Sequence, residues 1–271
     1  MRLVTYDAGA GPRVGVQRGE AILDAGFDGD MIAFIEAGAP VKPGEAVAAP
    51  RLLAPLRPRS LRDFLGFEGH LQGAYRGLGR EIPREWYEVP AYYKGLPDTV
   101  VGPETEVPWP AYTDRLDHEL ELAAVIGRRV RDVAASEATA CIFAYTIWND
   151  FSARDVQRVE MPVGLGPGKA KDWDGSNVLG PCLVTADEFD ASDARMTVRV
   201  NGEVWGESST AEMHHTFADM IAYISQGQTL YPGEVLGSGM ELDRWLAPGD
   251  VIELDIEGIG ILRNPIGHKE T

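Results

Sequence analysis

Glu119-Leu120-Glu121 is the tripeptide whose residue types and spacing say most about chemistry. In a strand, residues i and i+2 share a face, so both glutamates point the same way with Cα atoms about 7 Å apart. Leu120 and Leu122 then point the other way. Ala123 to Ile126 continue as an unbroken apolar run, which marks a buried strand. Two carboxylates entering a buried strand repel each other and lose hydration, and a cation between them relieves both costs. The same pattern also suits a solvated face that meets water or arginines, and a third ligand decides between the two. Asp150 is the candidate, because it closes the apolar segment CIFAYTIW just before a helix start. Strand exits of this kind often carry functional groups. Carboxylates alone suit a hard ion, Mg²⁺ first and Mn²⁺ or Ca²⁺ as alternatives. Zinc is not expected, since there is no HExxH and no cysteine pair at zinc spacing. Arg154 and Gln157, three residues apart, project from one helix face and offer a cation and an amide to a substrate carboxylate. The alternative for Arg154 is an ion pair with a surface acid. His214-His215 reads as a helix-entry feature, since adjacent side chains diverge. Gly166-Pro-Gly-Lys169 invites a phosphate-loop reading, but the glycine spacing is wrong, Ala170 follows the lysine and no strand leads in.

These groups need elements to hold them. HELELAAVIGRRV alternates and then turns apolar, which predicts a strand. SEATACIFAYTIW predicts a short helix capped at Ser136 that runs into an apolar strand. Ser152-Ala-Arg-Asp155 predicts a capping box opening the helix that carries Arg154 and Gln157. FLGFEGHLQGAYRGLG, broken by glycines, predicts a helix or helical flap. Before it, RLVTYD, RVGVQRG and EAILDA are short strands between Gly-rich turns, with a short helix over 30–37 and a Pro/Arg-rich connector. Toward the C-terminus, MTVRVNGEVWGE carries Asn-Gly between alternating runs, a hairpin signal. Thr216-Phe-Ala-Asp219 opens a helix as a capping box. The expectation is an α+β, β-rich protein, a mixed β-sandwich roll, with a small N-terminal β-rich domain over 1–58 and a catalytic domain over 59–271.

Composition narrows the classes. The 271 residues carry a formal charge of −17, so a duplex nucleic-acid binder is not expected. No apolar run reaches about 18 residues, so neither a membrane span nor membrane partnership is expected. The N-terminus lacks an apolar core of signal-peptide length, and the chain reads as cytoplasmic. Cys141 and Cys182 sit among apolar neighbours and read as buried thiols.

RLDHELELAAVIG, NDFSARDVQ and KDWDGSNVLGPC, in this order, resemble the core motifs of the fumarylacetoacetate hydrolase superfamily. RDFLGFEGH and EGIGILRNPI are similar to its upstream motif and its closing strands, so the likeness spans roughly residues 60–266. The resemblance implies that Glu119, Glu121 and Asp150 bind the metal, with Asp63 as a further acidic ligand. It implies His70 as the water-activating histidine, Glu241 as its partner and Lys171 as the oxyanion stabiliser. Arg154, Gln157 and Tyr93 fall at substrate-contacting positions. Taken singly, His70 also suits an exposed flap residue and Lys171 a solvated loop. Glu68 is a second carboxylate near His70. Met240 stands where many members carry a threonine, and Ser238 is the hydroxyl that could replace it. The implied activity is C–C bond hydrolysis of a β-diketo acid such as an acylpyruvate, by a homodimer. The alternatives are a decarboxylase, isomerase or dehydratase of a 2-keto acid on the same metal–enolate platform, or a non-catalytic ligand-binding member.

Overall fold

The structure, a computed structural model, describes residues 1–42, 44–69, 71–72, 81–242 and 244–269. Four strands come first: β1 (Arg2–Asp7), β2 (Pro12–Arg18), β3 (Ala21–Asp24) and β4 (Arg51–Leu53). Between β3 and β4 lies the expected short helix, Met31–Glu36, whose cap Asp30 accepts the Ala33 N–H. The middle of the chain supplies β5 (Ser60–Phe64), β6 (Tyr92–Gly95), β7 (Val100–Val101), β8 (Val107–Trp109), β9 (Leu116–Asp117), β10 (Glu119–Ile126), β11 (Ile142–Asp150), β12 (Ser152–Ala153) and β13 (Asn177–Thr185). The last five are β14 (Arg195–Val200), β15 (Glu203–Ser209), β16 (Glu234–Glu241), β17 (Val251–Ile256) and β18 (Gly260–Lys269). The architecture is strand-rich with mixed sheets, as the sequence implied.

One sheet runs β3-β2-β1-β13-β11-β10-β16-β5-β6, and β4 and β7 join it on β1 and β13. The N-terminal strands hydrogen-bond into this sheet through β1 and β13, with Leu3 opposite Leu183. A second sheet, β15-β14-β17-β18-β8, carries the hairpin predicted at Asn201-Gly202. Both turn residues take left-handed φ values, 52° and 81°, which the short loop requires.

β10 sits between β11 and β16 and is buried along its whole length. Leu120, Leu122, Ala124 and Ile126 enter one core with Met196, Val198 and Leu254 of the second sheet. Ala123 and Val125 enter another with Leu3, Phe34, Leu61, Ala144 and Trp148. A strand covered on both faces carries an unbroken apolar run rather than alternation. Glu119 and Glu121 belong, by period two, to the face of Ala123 and Val125.

Two helix starts differ from expectation. Ser136 does not cap; the helix Ala135–Ala138 begins two residues earlier than that cap would place it, after Ala134. Ser152 does not cap the helix Arg154–Glu160, which follows Ala153 without a side-chain cap. Ser152 instead pairs with Asp117 in β12–β9, and its hydroxyl donates to the Asp150 carbonyl at 3.2 Å. The Asp155 carboxylate accepts from Thr113 Oγ1 at 2.5 Å, Asp114 N at 2.8 Å and Val156 N at 3.0 Å, so it does not reach back to the cap. The Thr216–Asp219 capping box forms as expected.

Candidate metal centre

Five neighbouring strands bring the acids together. β10 supplies Glu119 and Glu121. β11 ends at Asp150, one step past the Leu120–Asn149 pair. β16 sets Glu241 opposite Glu119 and Gly239 opposite Glu121. β5, parallel to β16, sets Asp63 beside Gly237, and β6 sets Tyr93 beside Asp63. Gly237 and Gly239 leave the space that the acids occupy. A Cβ on Gly237 would collide with Glu121 Oε2 and the Trp148 indole, and one on Gly239 with the β10 backbone. Behind Glu121, the Trp148 indole N–H donates to Asn177 Oδ1 at 2.8 Å, and Asn177 donates to Thr99 Oγ1 at 2.7 Å. This chain of bonds fixes the ring.

Asp63, Glu119, Glu121 and Asp150 are all buried and offer one oxygen each within 4.8 Å of one another. Among the described residues, Glu121 Oε2 and Asp150 Oδ1 are buried without a hydrogen-bond donor. Buried carboxylate oxygens without donors are costly unless the charge is removed or a cation supplied. Burial pushes the Glu121 carboxyl well up, and repulsion from Asp63 adds to this. Burial also pushes Asp150 up to about 7, against the opposing pull of Lys171. An all-oxygen donor set of this kind fits a hard divalent ion. The cluster is thus able to bind one, and Asp63 stands within it alongside the three carboxylates read from the strands.

Lys171 is buried, its Nζ 2.6 Å from Glu119 Oε2 and 2.7 Å from Asp150 Oδ2. Burial alone would lower its pKa, but the Asp150 and Glu119 carboxylates outweigh this and raise it, so the amine is cationic. Its loop is held by Glu160, whose carboxylate accepts the backbone N–H groups of Gly168, Lys169 and Ala170 at 2.8–3.2 Å. The Gly-Pro-Gly-Lys stretch therefore does form an anion cradle, and its anion is the chain's own Glu160. Tyr93 donates its hydroxyl to Asp150 Oδ2. Burial first, and the nearby Asp150 and Asp63 charges next, keep that phenol protonated.

Arg154 is not a surface pair. Its Nε lies 2.6 Å from Asp117 Oδ2, and its Nη2 lies 2.8 Å from Glu119 Oε1 and 2.5 Å from Glu241 Oε2. Its Nη1 donates to Gln157 Oε1 at 2.8 Å. Glu241, expected to pair with His70, binds Arg154. His70 lies outside the described residues. The Ser238 hydroxyl donates to the Phe64 carbonyl at 2.7 Å and accepts the Gly66 N–H at 3.0 Å, which ties down the exit of β5. Met240 is buried in the core with Leu120 and Leu122. Asp117 and Glu160 escaped the sequence reading. Asp117 continues the i, i+2 spacing of Glu119 and Glu121, a usable signal; nothing local marks Glu160.

Residues 60–267 match the family described as Fumarylacetoacetate (FAA) hydrolase C-terminal. This chain belongs to the fumarylacetoacetate hydrolase family. It is 30% identical to the mitochondrial oxaloacetate tautomerase Fahd2a of Rattus norvegicus, over 98% of this chain and 91% of that protein. Its fold is similar to that of a 5-carboxymethyl-2-hydroxymuconate delta-isomerase from Mycobacterium smegmatis, at 28% identity and TM-score 0.82 over all of both chains. It is also similar to a fumarylacetoacetate hydrolase from the psychrophile Exiguobacterium antarcticum, at 27% identity and TM-score 0.83, over 98% of this chain and 99% of that one. Fumarylacetoacetate hydrolase family members thus include isomerases and tautomerases beside hydrolases. Among the described residues, no helix is long and apolar enough to cross a membrane.

A pH dependence follows from the raised carboxyls of this family member. An ion entering this cluster would displace the protons held by Glu121 and Asp150, so its affinity is expected to rise with pH, through about 7 for the Asp150 proton. The rise is at most about tenfold per pH unit for each proton displaced. For the metal-free protein the sign reverses. Asp150 is easier to protonate folded than unfolded, so its contribution to stability is present at low pH and lost as pH climbs through about 7. Calorimetric Mg²⁺ titrations between pH 5.5 and 8.5 check the first statement, and affinity that does not change with pH contradicts it.

Proposed function

We propose that this protein is a divalent-metal-dependent enzyme that acts on a small 2-oxo acid through its enolate, with C–C bond hydrolysis of an acylpyruvate-like β-diketo acid as its reaction. The observation that carries the reading is the buried four-carboxylate cluster, bordered by the Lys171 ammonium, with two oxygens that have no donor among the described residues. Asp63, Glu119, Glu121 and Asp150 would hold the ion, Mg²⁺ in the first instance. Bound there, it would act as a Lewis acid on the 2-oxo acid.

The remaining roles belong to the chain's own side chains. Lys171 Nζ is a buried, protonated donor that can hydrogen-bond an oxygen on which negative charge develops. Tyr93, protonated and directed at Asp150, orients that carboxylate. Arg154 anchors Glu119 and Glu241 and holds Gln157 beside them. A buried cationic fork between two acids fixes their geometry. His70 would take the proton of the attacking water.

A second reading, keto–enol tautomerisation of a 2-oxo acid, is favoured by one observation. The oxaloacetate tautomerase of rat aligns over 98% of this chain, including the N-terminal strands. That reaction moves a proton between carbon and oxygen and needs no attacking water. The His70→Ala variant separates the two. Acetylpyruvate hydrolysis and oxaloacetate tautomerisation are followed with Mg²⁺ and after EDTA treatment. The hydrolytic reading expects EDTA to abolish turnover and His70→Ala to lower hydrolysis by about 100-fold or more. Undiminished hydrolysis by His70→Ala removes that reading, and activity that survives EDTA removes the metal.

A further inference from the structure

The helix Arg154–Glu160 borders a second chemical environment. Arg154, Asp155, Arg158 and Val159 of this helix, with Arg115 and Trp245, line a cavity of about 360 Å³. Three of its six lining residues are arginines. Arg154, at its inner side, is committed to Asp117, Glu119, Glu241 and Gln157. Arg115 lies over the Trp245 ring, 5.5 Å from its centroid, a stacking that holds the guanidinium in place. Among the described residues, neither Arg115 nor Arg158 has a carboxylate partner. Both side chains are exposed, so their guanidiniums can be reached from solvent. The cavity's own acid, Asp155, turns its oxygens to Thr113, Asp114 and Val156. The cavity thus presents two guanidiniums without carboxylate partners beside an indole wall suited to methylene groups. Arg154 lines this cavity and also holds Glu119 of the carboxylate cluster.

We infer that this cavity is an anion subsite that takes a carboxylate, the distal carboxylate of a dicarboxylic 2-oxo acid. The ligand's identity as substrate rests on the function proposed above; the anion subsite rests on the cavity alone. Planar guanidiniums grip a carboxylate through paired N–H donors, and a monocarboxylic substrate forgoes that grip.

The test has two arms on the full-length protein with Mg²⁺ present. In the first, KM and kcat are measured for oxaloacetate and for the monocarboxylic acetylpyruvate in Arg115→Gln and Arg158→Gln variants. Each variant is expected to raise KM for the dicarboxylate about tenfold, as loss of a charge-assisted hydrogen bond does, with kcat and the acetylpyruvate constants unchanged. Arg158→Lys is expected to recover part of the loss. Constants that move equally for both acids, or do not move, overturn the assignment. In the second arm, succinate binding is followed by calorimetry in wild type and in the Arg115→Gln/Arg158→Gln double variant. Binding lost in the double variant supports the anion subsite even where no turnover is found, and equal binding in both proteins overturns it. Succinate binding that is lost while oxaloacetate KM stays constant marks a separate effector and overturns the substrate assignment. Failure of the functional reading looks different, as no turnover of either acid with or without EDTA.

Discussion

Glu121→Gln is expected to weaken divalent-ion binding by more than about 100-fold while making the metal-free protein melt higher. The two effects have one cause. Glu121 is fully buried on the β10 face that holds Glu119, with Asp63 and Asp150 close by. Its ionised form is disfavoured by burial first and by those charges next. Glutamine copies the shape of the protonated acid and removes the repulsion, which stabilises the metal-free fold. It also removes one anion from the proposed ligand set, and affinity for a hard ion depends on ligand charge. Turnover should fall with metal occupancy. Melting curves with EDTA and with Mg²⁺, beside calorimetric titration, read both signs at once. A variant that melts lower without metal, or that binds Mg²⁺ as wild type does, would show that Glu121 is not a ligand in a repelling cluster.

The second large effect concerns Lys171→Met. Among the described residues, the amine is the cation nearest both Glu119 and Asp150, at 2.6 and 2.7 Å, and it is buried with them. Removing one partner of a buried pair leaves uncompensated charge and costs roughly 3–5 kcal/mol. For a chain of this size that corresponds to a melting temperature lower by roughly 10 °C in EDTA. The loss should be greater at high pH, where the carboxyls cannot escape it by holding protons. Mg²⁺ supplies the missing positive charge, so most of the thermal loss should return on metal addition. Activity should not return with it. If Lys171 Nζ stabilises a developing oxyanion, turnover stays about 10²–10³-fold down at saturating Mg²⁺. Full activity in the metal-loaded variant would make Lys171 a structural counter-charge and nothing more.

Several parts of this arrangement were legible in the residues. Period-two alternation placed Glu119 and Glu121 on one face, and the apolar run behind them identified a strand covered on both sides, which β10 is. Asn201-Gly202 and Thr216–Asp219 announced a hairpin turn and a capping box because those signals are satisfied within a few residues. The failures were also local rules. Ser152 and Asp155 have the spacing of a capping box, but β9 claims the Ser152 backbone and residues 113–114 claim the Asp155 carboxylate. A tertiary partner with more donors overrides a local one.

What the sequence determined by itself was the strand pattern, the pairing of Glu119 with Glu121 on one face, and a set of separate motifs whose family resemblance pointed to Asp63, Asp150 and Lys171. What only the tertiary structure decided was which side chains share one space. Asp63 reaches the cluster through a parallel β5–β16 pairing across 174 positions of chain, and Gly237 and Gly239 make room by having no side chain. Glu160 steadies the Lys171 loop through three backbone N–H groups, a contact with no side-chain signature. Arg154 is drawn inward by Asp117, Glu119 and Glu241 and away from a surface role. Side-chain alternation along a strand is fixed by backbone stereochemistry and can be read residue by residue. The convergence of buried charges depends on sheet order and register, which many distant contacts set together.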